Sequence, residues 1–170
     1  MRHLASLNAD IVCLQEVFGS FVFDPLVRAA RALGWHVSTK TIRALGGLGQ
    51  TSGLLTLSKF PIEHQEFIRF DAECGEDTWA AKGLLYTTIR LPDKTLLGVV
   101  NTHLQADAVF ASTARCVRAR RAQFGQLTEF LRAHSHGRVD ALVLGGDMNM
   151  PCGPSSDRSQ HAEDRWNIEE

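Results

Sequence analysis

Short apolar runs alternate along the chain with stretches of helical periodicity, the pattern of a mixed α and β domain. Ala9 to Leu14 reads as a buried strand ending in the polar pair Gln15–Glu16. Asp24 and Pro25 resemble an N-cap followed by a first-turn proline. The helix they open would turn Leu26, Val27, Ala30 and Leu33 inward and stop at Gly34. Trp35 to Thr39 is a candidate short strand, and Gly46, Gly47, Gly49 and Gly53 mark a loop over 41–53. Strand-like runs follow at Leu54–Ser58, Ile62–Phe70 and Gly83–Leu91, with the acidic stretch 71–77 before the last of them. Pro92-Asp93-Lys94 predicts a turn into Leu96–Asn101, hence a hairpin. The clearest helix spans 113–134, with Val117, Phe124, Leu127 and Leu131 as its apolar stripe. Its Arg115, Arg118, Arg120 and Arg121 read as a solvated face. Ala141 to Leu144 is an apolar strand that runs into Gly145-Gly146-Asp147, and beyond Pro151 the chain turns polar. Hairpins mixed with helix-separated strands predict stacked sheets with outer helices.

Composition narrows the class. A chain of 170 residues, 44% hydrophobic and 22% charged, is one domain's worth of globular protein rather than a disordered tail or a membrane protein. No apolar stretch reaches the roughly 18 residues needed to span a bilayer, and the N-terminus lacks the apolar core of a signal peptide. A net charge of −1 gives the whole chain no field that would draw nucleic acid. Four cysteines, Cys13, Cys74, Cys116 and Cys152, show no CxxC pair and no zinc-like spacing. Cys13 reads as a buried thiol, and nothing demands a disulfide, which favours a reducing compartment without naming one.

The informative feature is where the polar groups fall. Three apolar strands each end in a polar cluster: Gln15–Glu16, Asn101-Thr102-His103 and Asp147-Met148-Asn149. Strand ends on one rim are common places to assemble a site on rigid elements. A carboxylate is a hard oxygen ligand suited to Mg²⁺, which needs few protein ligands. A histidine and an asparagine can donate hydrogen bonds to phosphate oxygens as charge builds, and a second carboxylate can orient an attacking water. Taken singly, Glu16 and His103 also read as ordinary strand ends, Asp147 and Asn149 as turn residues, and Lys82 as a strand flank. No GxSxG, Walker A or GxGxxG sequence offers a different chemistry.

Taken together, ADIVCLQEV (9–17), NTHLQAD (101–107) and GGDMN (145–149) resemble the endonuclease/exonuclease/phosphatase superfamily. SGLLTLSKFPI at 52–62, AKGLLYTTI at 81–89 and THLQA look most like its neutral sphingomyelinase branch. The resemblance implies an α/β (α+β) fold, a four-layered sandwich of two packed β-sheets flanked by helices, here incomplete. Residues 1–150 would be a partial domain of this family and 151–170 a polar tail. It implies Glu16 as the metal ligand, with Mg²⁺ as cofactor. His103, Asp147 and Asn149 would be catalytic. His103, Asn149 and Lys82 would bind substrate, and the RxxQ at Arg120–Gln123 would be structural. The substrate implied is a phospholipid, sphingomyelin, at a membrane surface, cleaved to ceramide and phosphocholine. A nuclease or an inositol-phosphate phosphatase on the same scaffold is the alternative within chemistry, with nucleic acid the lesser partner. The resemblance also implies an early metal-site Asn and a late Asp-His pair. Only Arg2 to Leu7 stands for the preceding helix, and His161 and Asp164 follow GGDMN too soon to be that pair. The chain therefore reads as truncated at both ends, a fragment or a non-catalytic remnant. In the loop 104–112, Val109 and Phe110 read either as lipid-touching or as a buried anchor.

Overall fold

A computed structural model describes residues 6, 8–38, 49–109, 111–135 and 137–150. Most of the glycine-rich loop, Phe110, His136 and the tail with Cys152, His161 and Asp164 lie outside the described residues. The elements in chain order are β1 (Ile11–Leu14), α1 (Ser20–Ala32), β2 (His36–Val37), β3 (Leu55–Ser58) and β4 (Ile62–Arg69). A 3₁₀ turn (Gly75–Trp79), β5 (Gly83–Arg90), β6 (Leu96–His103), α2 (Thr113–His134) and β7 (Ala141–Asp147) complete them. One sheet has the order β1-β3-β2 and the other β4-β5-β6-β7. All neighbours are antiparallel except β6 and β7, which α2 joins as a parallel crossover.

The alternation of side chains along each strand builds the layers. Leu55 and Leu57 of β3 pack with Val17, Val27, Ala30 and Trp35, so α1 covers the outside of the smaller sheet. Leu84 and Tyr86 of β5 and Val100 of β6 pack with Phe70, Leu104 and Leu127, so α2 covers the outside of the larger one. The intervening strand positions face inward, where Leu54, Phe67, Ala81 and Leu85 form a cluster between the sheets. Burial on both faces explains why β5 and β6 carry consecutive apolar residues, whereas β3 alternates Leu with Thr and Ser although all four are buried.

The start of the first helix differs from the expectation. Helix α1 begins at Ser20 after Gly19, and Pro25 lies inside it. Proline has no N–H to continue the ladder. Here it stands on the exposed side of the helix, where water can satisfy the carbonyl left over. Leu33, expected inside, is half exposed at the helix end, whereas Val27 and Ala30 are buried. Arg120, expected on a solvated face, is 3% exposed. Cys74 and Cys116, far apart in sequence, are both buried with their sulfurs 3.5 Å apart, and as free thiols. Cys13 packs toward Gly145 between the sheets, and burial pushes its thiol up to about 11.

Asn101 sets the two sheets against each other. Its side chain is fully buried on the inward face of β6. Its Nδ2 donates to the carbonyls of Leu14 in β1 (3.1 Å) and Leu55 in β3 (3.2 Å), and its Oδ1 accepts from Gln15 Nε2 (2.7 Å). Replacing Asn101 with leucine keeps the branched shape but strips partners from two carbonyls and one amide. The expected loss is about 2–4 kcal/mol of stability, read from the urea midpoint. A loss below about 0.5 kcal/mol would show that these bonds do not join the sheets.

Candidate active site

Two residues beyond Leu14 and two beyond Asn101, the chain delivers a candidate functional group. After Leu14 the backbone turns at Glu16, which takes a left-handed conformation with φ 60°. The turn is fixed on both sides: Val17 N–H donates to the Gly53 carbonyl (2.9 Å) and Phe18 N–H to that of Glu16 (2.8 Å). The Glu16 side chain is exposed on the rim. After Asn101, β6 ends at His103, on the same inward face and buried. His103 is paired in register with Asp147 at the end of β7, so both side chains point the same way.

The Gly-Gly before Asp147 has a steric reason. Gly146 has φ 147°, and a Cβ there would lie 2.0 Å from the Thr102 carbonyl oxygen. Only glycine lets β7 approach β6 this closely at its end. Past Asp147 the chain reverses at Asn149, whose φ of 49° suits asparagine better than most side chains. The Asn149 N–H donates to Asp147 Oδ1 (2.8 Å), and its Nδ2 donates to the Leu104 carbonyl (2.8 Å). The Leu104 N–H in turn donates to the Asp147 carbonyl (2.9 Å). Lys82 Nζ donates to that same Leu104 carbonyl (3.2 Å) and lies 3.5 Å from Asp77 Oδ2. One backbone residue thus ties together the side chains of Lys82 and Asn149 and the backbone of Asp147, all selected from sequence.

The site is electrostatically coupled. Burial holds the His103 imidazole below its usual pKa, and the Lys82 charge adds to this, while Asp147, Glu16 and Asp77 oppose it. A neutral ring at pH 7 keeps one nitrogen as donor and one as acceptor. Its Nδ1 is buried without a hydrogen-bond partner among the described residues, and its Nε2 stands 4.0 Å from Asp147 Oδ2, beyond direct bonding. Burial also lowers the Lys82 ammonium, against the pull of Asp77, Glu16 and Asp147. Lys82 is 3% exposed and committed to Leu104 and Asp77, so in this conformation it acts on the site through its field.

Four further residues build the site: Asp77 and Gln105, which were not selected from sequence, and Arg120 and Gln123, the RxxQ expected to be structural. Asp77 accepts from the Ala106 N–H (3.0 Å) as well as facing Lys82. Arg120 bonds the Asn149 carbonyl and Asp107, joining the loop after β6 to the turn after β7. Gln105 and Gln123 satisfy the irregular backbone nearby: Gln123 Oε1 accepts from Gln105 N–H (2.7 Å), and Gln105 bonds both the N–H and the carbonyl of Cys74. Spacing held a signal for Arg120 and Gln123. They fall between Val117 and Leu127 at helical intervals, on the stripe rather than opposite it.

For an ion, the described residues offer no cluster of three His, Cys, Asp or Glu side chains. That excludes a fully protein-ligated transition-metal site among them. It leaves room for a hard, water-retaining cation on the exposed Glu16 carboxylate. Among the described residues no helix is long and apolar enough to cross a membrane.

Comparison with known proteins identifies the family and the fold. The pattern of the Endonuclease/Exonuclease/phosphatase family matches residues 1–167. Sphingomyelinase C of Bacillus cereus is 27% identical over 155 residues, which cover 84% of this chain and 46% of that protein. Sphingomyelin phosphodiesterase 5 of Danio rerio is 36% identical over 112 residues, 58% of this chain and 21% of that one. The crystal structure of sphingomyelinase C from Streptomyces griseocarneus superposes with a TM-score of 0.77 at 28% identity, covering 95% of this chain and 60% of that one. The chain thus spans about half the length of the relatives it matches. It belongs to the endonuclease/exonuclease/phosphatase family, and its likeness runs to that family's sphingomyelinases.

Proposed function

We propose that the protein is a magnesium-dependent phosphodiesterase that hydrolyses sphingomyelin to ceramide and phosphocholine at a membrane surface, with this chain supplying Glu16, His103, Asp147 and Asn149. The observation that carries the reading is their convergence. Three strand ends from two sheets bring a free carboxylate, a neutral imidazole and a backbone-held carboxylate onto one rim. The sphingomyelinases among its relatives support the choice of substrate. A Staphylococcus aureus beta toxin of the same fold was crystallised with bound magnesium ions. Glu16 is the group that would hold such an ion here, since an exposed oxygen donor with open coordination suits magnesium. When bound, the ion supplies positive charge against the phosphate oxygens.

The remaining roles belong to the chain's own residues. His103 donates a hydrogen bond to a phosphoryl oxygen as negative charge builds there. Asp147, held by the Asn149 N–H, orients the attacking water and takes its proton. Asn149 keeps a second amide hydrogen for the phosphate while the first bonds Leu104. Burial keeps His103 neutral, and the Lys82 charge behind it adds to that effect. Water forms the new bond to phosphorus as its proton passes to Asp147, the bond to the ceramide oxygen breaks, and that oxygen takes a proton from solvent as it leaves.

The direct test offers the protein sphingomyelin in mixed micelles and, in parallel, abasic duplex DNA, both with magnesium. Release of phosphocholine with intact DNA is expected; the reverse preference would move the protein to the nucleases, and neither activity would mark a non-catalytic scaffold. Glu16→Gln should weaken magnesium binding at least about tenfold by calorimetry with an unchanged melting curve. Unaltered binding would remove Glu16 from the metal site. Asp147→Asn should lower kcat by a factor of about 10² or more with little change in KM, because its work is done in the transition state. An effect confined to KM would assign Asp147 to substrate binding alone.

A further inference from the structure

Helix α2 braces the candidate site with its inner face. There Arg120 bonds the Asn149 carbonyl and Asp107, and Gln123 bonds Gln105. The outer face carries Arg115, Arg118 and Arg121, all exposed. At 3.6 residues per turn the three fan across about 120° of the helix surface, with Arg118 in the middle. Among the described residues no carboxylate pairs with any of them. Arg115 and Arg118 also line an open groove of about 250 Å³ against residues 72–74, but Glu73 there is bonded to Arg69 (2.8 Å). Glu129, the only carboxylate on α2, lies roughly 16 Å along the axis from Arg118.

Two features of this face work against the helix that bears it. Arg115 and Arg118 stand in its first two turns, where backbone N–H groups already present positive charge, and no acid balances them in the first turn. Helix α1, by contrast, keeps Arg31 in its last turn, where a cation is favourable. The second feature is Gly125, in mid-helix, where only proline is a poorer helix former. A Cβ at Gly125 would meet nothing within 4 Å, so packing inside the chain does not call for glycine there. Local costs that the fold itself does not offset are expected where a surface meets something else.

The chemistry of the face selects the occupant. Ala122 and Gly125, exposed and three residues apart, lie on the same arc as Arg118 and Arg121 and leave a shallow path along the helix. Another backbone can approach closely there, and the ridges of a second helix can settle into it. None of the exposed large apolar side chains lies on α2, so the face has nothing to bury in a lipid interface. A second copy offers no acidic helix either, since α1 carries Asp24 against Arg28 and Arg31. We propose that the outer face of α2, centred on Arg118 and Gly125, docks an acidic helix of a partner protein, whose carboxylates pair with Arg115, Arg118 and Arg121. This goes beyond the hydrolytic reading and does not depend on it. The partner would rest against the helix whose opposite face holds the turn at Asn149.

The probe is a labelled alanine-based helical peptide with glutamates along one face, its binding to the full chain followed by fluorescence anisotropy at low ionic strength. It should bind more tightly than an unstructured peptide of the same charge. Arg118→Glu with Arg121→Glu should weaken binding at least about tenfold. Arg28→Glu with Arg31→Glu makes the same change in net charge on α1 and should bind as the original does. Gly125→Gln should raise the melting temperature, because glutamine is the better helix former, yet weaken binding about tenfold by blocking the close approach. Circular dichroism checks that all variants fold. No binding of the helical peptide, equal binding of the two peptides, equal loss in the α1 variant, or undiminished binding by Gly125→Gln would each overturn the proposal. Tighter binding to phosphatidylglycerol vesicles or to duplex DNA, or self-association that disappears with the arginines, would overturn it by assigning the face to a different occupant.

Discussion

The arrangement depends on one buried side chain. Asn101 reaches across the gap between the sheets and bonds the backbones of β1 and β3 and the amide of Gln15. An amide in that position costs desolvation unless its partners are in place, so the sheets are stable together in one relative position and poorly in others. That position also brings two segments of the candidate site to one rim. Glu16 lies two residues past Leu14, and His103 two residues past Asn101, so the bonds that join the sheets also set the carboxylate opposite the imidazole.

A second tier of contacts converts strand ends into a site. The Leu104 carbonyl accepts from both Lys82 and Asn149, and its N–H reaches back to Asp147. Arg120 then links the loop after β6 to the turn after β7 from beneath. Loops of this kind need partners for every buried backbone group, and Gln105, Gln123 and Asp77 supply them. Polar side chains inside α2 and beside it therefore serve the site without touching its chemistry.

Much of this was legible in the sequence, for physical reasons. The strands at 83–90 and 96–103 lie buried on both faces, which writes apolar runs into them, and the helix at 113–134 carries a regular stripe. The polar clusters at the ends of β1, β6 and β7 interrupt those runs, and the structure places the three on one rim. What the sequence hid was pairing. Asp24-Pro25 imitates a helix start, so the earlier start at Gly19-Ser20, which carries no side-chain cap, went unseen. Arg120 looked solvated because arginines flank it on the same helix, although its spacing put it on the inner stripe. Asn101 looked like one more strand-end polar group, since no local pattern reveals that its partners lie 46 and more residues away. The meeting of Cys74 and Cys116 was invisible for the same reason.

The central claim is that an ion-binding carboxylate and the His103–Asp147 pair form one site across the two sheets. Paramagnetic broadening by Mn²⁺, followed in amide and side-chain NMR signals, tests it most directly because it reports position without requiring turnover. At low Mn²⁺, the signals of Gln15, Glu16 and Val17 should broaden first, followed by those of His103, Leu104 and Asp147, while the acidic segment Glu73–Asp77 lags. Broadening centred on Glu73 and Glu76, or spread over surface carboxylates with Glu16 spared, would contradict the account.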